Sequence, residues 1–211
     1  YLRFQGLIFQ GANGSSSTNV YATGGANHIE LFACEIRGSQ RQGLFSDANT
    51  DSLYIIGCNI HDNGGSGPSS RDHNLYIEGN NHVVTSSLIR GAPNGYGIQL
   101  YPSSSNVVIS GNTIIDNSRG GVIVGGEGSP TRGARIMGNI LAFNRGPGLS
   151  TYWTGQAGSD NIVRTNLTWG NSGGSIIGNG ITNQGEINAD PLFVNRPGGN
   201  FTVAANSPAL G

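Results

Sequence analysis

The sequence predicts an all-β protein, a right-handed single-stranded parallel β-helix of about seven coils that spans residues 1–211 as one domain. Three observations support this prediction: an internal repeat of about 27 residues, apolar alternation within short runs, and a glycine content of 36 residues in 211. Glycine at this frequency suits a chain of tight turns and argues against a helix bundle. Residues 188–211 fall outside the repeat, and we expect this C-terminal segment to be irregular.

The repeat becomes visible when six segments are aligned on one position, whose occupants lie 24 to 29 residues apart. These occupants are Cys34, Cys58, Ser87, Asn112, Asn139 and Asn166. Three residues earlier the aligned positions are Leu31, Ile55, Val84, Ile109, Ile136 and Val163, and two residues later they are Ile36, Ile60, Ile89, Ile114, Leu141 and Thr168. A unit this short cannot bury its own apolar face, so successive units must stack, each rising about 4.8 Å. We therefore expect Asn112, Asn139 and Asn166 to be buried and hydrogen-bonded from coil to coil.

A second short apolar run follows a polar turn in every repeat. The six runs are residues 43–46, 74–77, 97–100, 121–124, 148–151 and 174–177. Their period-2 alternation indicates short strands with one buried face. A propeller blade needs about 40–45 residues, which is longer than this repeat. A β-sandwich would not keep six aligned columns in register, so the β-helix is the better prediction.

Composition excludes several classes of function. Charged residues make up only 11% of the chain, all 11 cations are arginine, and the formal net charge is −1. The sequence contains no cluster of like charges, so it predicts neither a nucleic-acid-binding surface nor a polybasic patch that would bind a membrane surface. No apolar stretch approaches the length of a membrane span. Cys34 and Cys58 are too few for a disulfide framework, and we expect them to be small core residues.

The repeated apolar-x-apolar-x-Gly-Asn-x-Ile unit, followed by Gly-apolar-x-apolar, resembles the pectate-lyase-like superfamily of right-handed parallel β-helix repeat proteins. The resemblance covers nearly the whole chain, and the tail at 190–194, 199–201 and 207–210 is similar to the terminal segment of secreted bacterial members. It implies an extracellular location and a polysaccharide partner. It does not imply one activity, because the superfamily includes lyases, hydrolases, epimerases and non-catalytic glycan-binding or structural proteins. The motif sets of polygalacturonases, pectate lyases and mannuronan epimerases are absent.

Charged and other titratable residues concentrate on one predicted edge of the stacked coils. They are Arg37, Arg41, His61, Asp62, Arg71, Asp72, His73, Arg90, Tyr96, Asp116 and Arg119. In a lyase-type β-elimination, His73 or Arg90 would accept the proton beside a uronate carboxylate and Tyr96 would protonate the leaving oxygen. Asp72 would orient the imidazole or hold a cation, and arginines such as Arg71 and Arg119 would neutralise the carboxylate. The alternative is a solvated edge with ordinary surface ion pairs.

The outward side of the second run supplies the predicted substrate-binding surface. Tyr76, Glu78, Gln99 and Tyr101 would present aromatic rings and polar groups to a saccharide. The alternative is aromatic stacking between strands, which would stabilise the fold without binding anything. We interpret His28 and His82, at strand starts, as packing residues.

Two carboxylate pairs keep a hydrolytic alternative open. Asp62 and Asp116 should lie two coils apart, at about 9–10 Å, the upper edge of the range for inverting glycosidases. Asp47 and Glu78 should lie one coil apart, as a retaining pair or as ligands of Ca²⁺. No complete calcium loop is present, so no cofactor is certain and Ca²⁺ is the candidate metal.

Together these features predict an extracellular carbohydrate-active domain that acts on an acidic polysaccharide, with lyase-type chemistry preferred. The alternatives are a non-catalytic glycan-binding or structural module of a larger secreted protein and an inverting hydrolase. Because the chain opens directly in apolar alternation, we expect it to be a piece of a longer protein, or otherwise a monomer.

Overall fold

The computed structural model describes residues 1–14, 17–65, 72–125, 128–151 and 157–210, and it confirms the predicted parallel β-helix. In chain order the strands of the solenoid are β1 (Leu2–Gln5), β2 (Ile8–Gln10), β3 (Val20–Ala22), β4 (Asn27–Phe32), β5 (Glu35–Arg37), β6 (Leu44–Ser46), β7 (Asp51–Ile56), β8 (Asn59–His61), β9 (Leu75–Asn80), β10 (Val83–Thr85), β11 (Leu88–Arg90), β12 (Tyr96–Ser105), β13 (Val108–Ser110), β14 (Thr113–Ile115), β15 (Gly120–Val124), β16 (Arg135–Met137), β17 (Ile140–Ala142), β18 (Leu149–Thr151), β19 (Ile162–Arg164), β20 (Leu167–Trp169), β21 (Ile176–Ile177), β22 (Thr182–Gln184) and β23 (Ile187–Asn188).

The strands form three faces that recur in the same order in every coil. The first face consists of β1 and every third strand up to β22, the second of β2 and every third strand up to β23, and the third of β3 and every third strand up to β21. Each strand pairs in parallel with its equivalents in the neighbouring coils. The second face forms an eight-stranded sheet within the described residues, so the chain completes about seven turns.

The core is built from the aligned aliphatic columns. On the first face Leu31 pairs with Ile55, and Ile55 with Val84, as the repeat predicts. On the second face Ile36 pairs with Ile60, and this register continues to Thr168. These side chains point inward and are almost wholly buried. Burial of this continuous apolar column is the main stabilising contribution in a solenoid.

A polar ladder fills the corner between the first and second faces. Asn112 Nδ2 donates to Asn139 Oδ1 at 3.0 Å, and Asn139 Nδ2 donates to Asn166 Oδ1 at 2.9 Å. All three amides are buried, which confirms the predicted ladder. Cys34 and Cys58 continue it as free, buried thiols, and burial raises the pKa of Cys58 to about 11. They are small core residues, as predicted.

A second ladder runs through the corner between the second and third faces. Asn63, Asn117, Asn144 and Asn171 stack there, but in one coil the equivalent position is Ala92, which has no amide. Asn74, from the start of the preceding third-face strand, fills this gap. Its Oδ1 accepts from Asn63 Nδ2 at 2.9 Å and its Nδ2 donates to Asn117 Oδ1 at 3.1 Å. The ladder is therefore continuous despite the missing asparagine.

The same ladder explains why glycine recurs at or just before the start of four third-face strands, β6, β12, β15 and β18. A Cβ atom at Gly43 would lie 2.6 Å from Asn63 Nδ2, and one at Gly148 would lie 2.9 Å from Asn171 Nδ2. The ladder amides occupy the space that a side chain would need. In the coil of β9 this position is Asn74, whose own side chain is part of the ladder.

The C-terminal segment forms an antiparallel hairpin rather than an irregular tail. Strands β24 (Phe193–Asn195) and β25 (Asn200–Val203) pair with each other, and a 3₁₀ helix follows at Pro208–Leu210. Phe193 contacts Phe143, and the Arg196 guanidinium lies 3.9 Å from the centre of the Phe143 ring. The hairpin is thus anchored beside the second face. Within the described residues no helix is long and apolar enough to span a bilayer.

Replacing Asn139 by alanine should lower the free energy of unfolding by about 1–3 kcal/mol, because buried groups in both neighbouring coils would lose their partner. Chemical denaturation monitored by circular dichroism would measure this loss. Unchanged stability would contradict the stabilising role of the ladder.

We expect Ala92→Asn to change the free energy of unfolding in opposite directions, depending on whether residue 74 is asparagine or glycine. Asn74→Gly alone should cost about 1–3 kcal/mol by breaking the second ladder. Ala92→Asn should destabilise the wild type, where Asn74 fills the space, but restore stability in the Asn74→Gly background. A double-mutant cycle measures this coupling between the two positions. Strictly additive effects on stability would contradict the conclusion that Asn74 takes the place of an asparagine at position 92.

Candidate functional site

A cleft of about 290 Å³ opens on the third face near the beginning of the solenoid. Its lining residues come from three successive coils: Tyr21, Arg41, Gln42, Phe45, Tyr76 and Glu78. We call this depression the third-face cleft. It combines aromatic rings, one cation, one amide and one carboxylate.

An aromatic column forms one wall of the third-face cleft. Parallel register places Tyr21 beside Phe45 and Phe45 beside Tyr76. Their ring centres are 5.8 Å and 5.4 Å apart, and the His73 ring stacks on Tyr76 at 5.9 Å. Tyr21 is 56% exposed, whereas Tyr76 is only 6% exposed. The open end of the column is therefore the Tyr21 ring.

Polar groups occupy the two ends of the third-face strands at the cleft. Arg41 and Gln42 precede β6, and within the described residues no carboxylate pairs with the Arg41 guanidinium. Glu78 lies in the second half of β9. The backbone carbonyl of Glu78 accepts a hydrogen bond from His82 Nε2 at 2.7 Å, which fixes the strand at that end.

His82 is a packing residue, as the sequence predicts. It is fully buried, its Nδ1 accepts from the Leu53 backbone N–H at 3.0 Å, and its Nε2–H donates to Glu78. Burial lowers the pKa of His82, so the neutral ring is favoured. His28 is exposed, and its Nδ1 lies 3.3 Å from Asn27 Oδ1.

The geometry of His73 does not support the proposed role as general base. Its side chain is fully buried, and its Nδ1 accepts a hydrogen bond from the Tyr96 backbone N–H at 3.0 Å. In a neutral imidazole the other nitrogen then carries the proton, so the ring's lone pair is already engaged. The predicted proximity to Tyr96 is confirmed, with ring centres 5.6 Å apart. His73 positions Tyr96 and Tyr76.

The other proposed catalytic residues are divided between two faces. Asp72 is fully buried beside His73, and burial raises the pKa of Tyr96 while Arg119 opposes the shift. Arg90 lies on the second face at the end of β11, and its guanidinium is 5.8 Å from the Phe201 ring of the C-terminal hairpin. Arg90 thus belongs to a strand of a different face, although its carbonyl accepts a hydrogen bond from Asn74, the residue after His73, and the catalytic grouping stays a prediction.

The predicted binding surface is also rearranged. Gln99 is 1% exposed and Tyr76 is nearly buried, so the expectation that both would present an open outward surface is wrong. Tyr76 and Glu78 line the third-face cleft, while Tyr101 lies in the coil beyond it with intermediate exposure. Arg71 lies outside the described residues. The cleft thus lies toward the N-terminal end of the surface that the sequence predicts.

The aspartates of the predicted hydrolytic pairs form hydrogen bonds or ion pairs with other residues. Asp62 and Asp116 both have φ near 55°, at a corner position otherwise occupied mainly by glycine, and aspartate tolerates this conformation. Asp62 bonds His61 Nδ1 at 2.7 Å, and Asp116 pairs with Arg196. Asp47 accepts hydrogen bonds from the Gly24 backbone of the preceding coil and from Asn49 and Thr50 of its own turn, and these bonds, chiefly the one from Gly24, lower its pKa. Each aspartate has a structural partner.

His61 is the centre of a separate charged network on the second face. Its Nε2 lies 3.0 Å from Glu35 Oε1, and Arg37 Nη1 binds the same oxygen at 2.9 Å. The hydrogen bond from His61 is the main cause that lowers the pKa of Glu35. Among the described side chains no group of three or more His, Cys, Asp or Glu could hold a metal ion. Ca²⁺ stays a prediction.

Sequence reasoning missed Tyr21 as a site residue. The alignment of repeats begins at residue 28, one coil too late to include β3. The available signal was the run Val20-Tyr21-Ala22, which alternates like the second run of later repeats and places an aromatic ring in the column of Phe45.

Comparisons with known proteins match this architecture. A family model described as a right-handed beta helix region covers residues 18–188. The chain superposes on the A-module of the mannuronan C-5 epimerase AlgE6 from Azotobacter vinelandii with a TM-score of 0.69 and 19% identity, covering 90% of this chain and 52% of that one. No curated protein matches the sequence.

Two further solved structures share the fold. Pectate lyase Pel9A superposes with a TM-score of 0.60 and 12% identity, covering 90% of this chain and 62% of that one. The periplasmic alginate epimerase AlgG gives a TM-score of 0.60 and 15% identity, covering 88% of this chain and 45% of that one. This chain therefore spans about half to three-fifths of these structures. The match over residues 18–188 shows that the chain belongs to the right-handed β-helix family.

Proposed function

We propose that this protein is an extracellular carbohydrate-active β-helix domain that holds an acidic polysaccharide in the third-face cleft. The observation that carries the proposal is the combination of an aromatic column with the Arg41 guanidinium in one open depression. An aromatic ring stacks on the apolar face of a sugar, and a guanidinium binds a carboxylate.

The charge of the cleft favours an acidic rather than a neutral glycan. The described ion pairs of arginine involve Arg3, Arg37 and Arg196. What distinguishes Arg41 is its position beside the aromatic column of the cleft, where no described carboxylate pairs with its guanidinium. A uronate would supply the missing negative charge, while the Glu78 carboxylate would accept hydrogen bonds from sugar hydroxyls. The names of the similar structures, which refer to mannuronan, alginate and pectate, support the same class of ligand.

If the domain is catalytic, lyase-type β-elimination fits its charges better than hydrolysis. Elimination requires a cation at the uronate carboxylate, and Arg41 would supply it. Hydrolysis requires two available carboxylates, whereas Asp62, Asp116 and Asp47 are bound to other groups. The occupied Nδ1 of His73 favours the second candidate, a non-catalytic glycan-binding module.

Replacing Tyr21 by alanine should weaken polyuronate binding about two- to tenfold, the range expected for loss of one aromatic contact. Because the Tyr21 side chain is mostly exposed, the melting temperature should change little. Trp169→Ala is the matched control, since Trp169 is an exposed aromatic residue on the second face. Isothermal titration calorimetry with polygalacturonate and alginate would measure the affinities of both variants. Equal weakening by the two variants would contradict the assignment of the cleft.

Incubation with a panel of acidic and neutral polysaccharides separates the candidate functions. If the domain is a lyase, the ultraviolet absorbance of an unsaturated product and the concentration of reducing ends should rise together on a polyuronate. Reducing ends alone would identify a hydrolase. Binding without either signal would identify a module, and absence of binding to any polymer would overturn the proposed function.

A further inference from the structure

The Gln42 side chain is fixed in one orientation at the edge of the third-face cleft. It is only 4% exposed, yet it lines the cleft, and its Oε1 lies 2.6 Å from the Thr18 hydroxyl. A separation this short is typical of O–H···O rather than N–H···O hydrogen bonds. The oxygen of the amide therefore faces Thr18. The amide nitrogen, with two N–H donors, is the end left for the cleft.

The backbone beneath Arg41 and Gln42 is held by the same elements. The Arg41 backbone N–H donates to the Ser17 carbonyl at 3.1 Å, one residue before Thr18. The Ser39 hydroxyl lies 3.0 Å from the Arg41 carbonyl and 2.7 Å from the Gln42 carbonyl. Ser39 and Thr18 are both buried, so these hydrogen bonds are shielded from water.

We propose that Arg41 and the Gln42 amide form a carboxylate subsite, and that Thr18 is the positioning residue that makes it selective for a uronate over a neutral sugar. The inference rests on the proposed function of the third-face cleft. Arg41 and Gln42 together offer only N–H donors toward the cleft, which suits an anion with several acceptor lone pairs. With the opposite amide orientation, Gln42 would present a carbonyl oxygen and repel a carboxylate.

Glu78 gives the bound sugar a direction. Its carboxylate lines the same cleft from the other half of the third-face strands. A ligand carboxylate at that end would face like charge, whereas a hydroxyl there would donate a hydrogen bond. The acidic group of the sugar is therefore directed to Arg41 and Gln42.

Selectivity is measured as the ratio of affinities for polygalacturonate and for the same polymer after chemical reduction of its carboxyl groups. We expect Thr18→Val to lower this ratio three- to tenfold, because the amide loses the bond that orients it. Thr18→Ser should retain the wild-type ratio, since it keeps the hydroxyl. Gln42→Glu should weaken binding of polygalacturonate more than tenfold and change binding of the reduced polymer less than twofold.

Thr131→Val is the matched control, because Thr131 is also a buried threonine, lies in a distant coil and has its hydroxyl bonded to the Leu100 carbonyl. It should leave the ratio unchanged whatever its effect on melting temperature. If Thr18→Val also leaves the ratio unchanged while Tyr21→Ala weakens binding, the carboxylate subsite is wrong and the proposed function stands. If the wild-type protein binds neither polymer, both are overturned.

Discussion

Parallel hydrogen bonding between successive coils is the constraint on which the rest of this structure depends. It sets a spacing of about 4.8 Å between equivalent residues, so each position in the repeat becomes a column through the molecule. Inward columns must be aliphatic because they form the core. Corner columns must satisfy buried backbone groups, and the two asparagine ladders do this from opposite sides of the second face. Outward columns remain for binding.

The fold could be predicted from the sequence because the core columns and one ladder repeat at a nearly constant interval. The second ladder could not be recognised in the same way. At one coil the aligned ladder position is Ala92, and the amide comes instead from Asn74, which stands at a different position of the repeat. The alignment therefore shows a gap where the structure shows continuous hydrogen bonds. A column of residue types does not reveal a side chain that reaches in from a neighbouring column.

The site was predicted less well because stacking by register says which residues are adjacent but not which are exposed. Tyr76 and Gln99 lie in the expected column, yet both are buried. The sequence predicts that Arg90 lies on the same edge as His73. Arg90 is instead the last residue of β11 on the second face, and its guanidinium lies beside the C-terminal hairpin. The histidine that looked most reactive, His73, has its acceptor nitrogen bound to a backbone amide. At this site the hydrogen-bond geometry, rather than the residue type, distinguishes packing residues from residues that could take part in catalysis.

In the third-face cleft these constraints leave an aromatic ring and a cation accessible to a ligand. The most direct measurement is a crystal structure of the domain with a short oligogalacturonate. We expect one sugar ring to lie against Tyr21 with its carboxylate within hydrogen-bond distance of Arg41 and Gln42. An oligosaccharide bound on the second face, or in the cleft with its carboxylate toward Glu78, would contradict it.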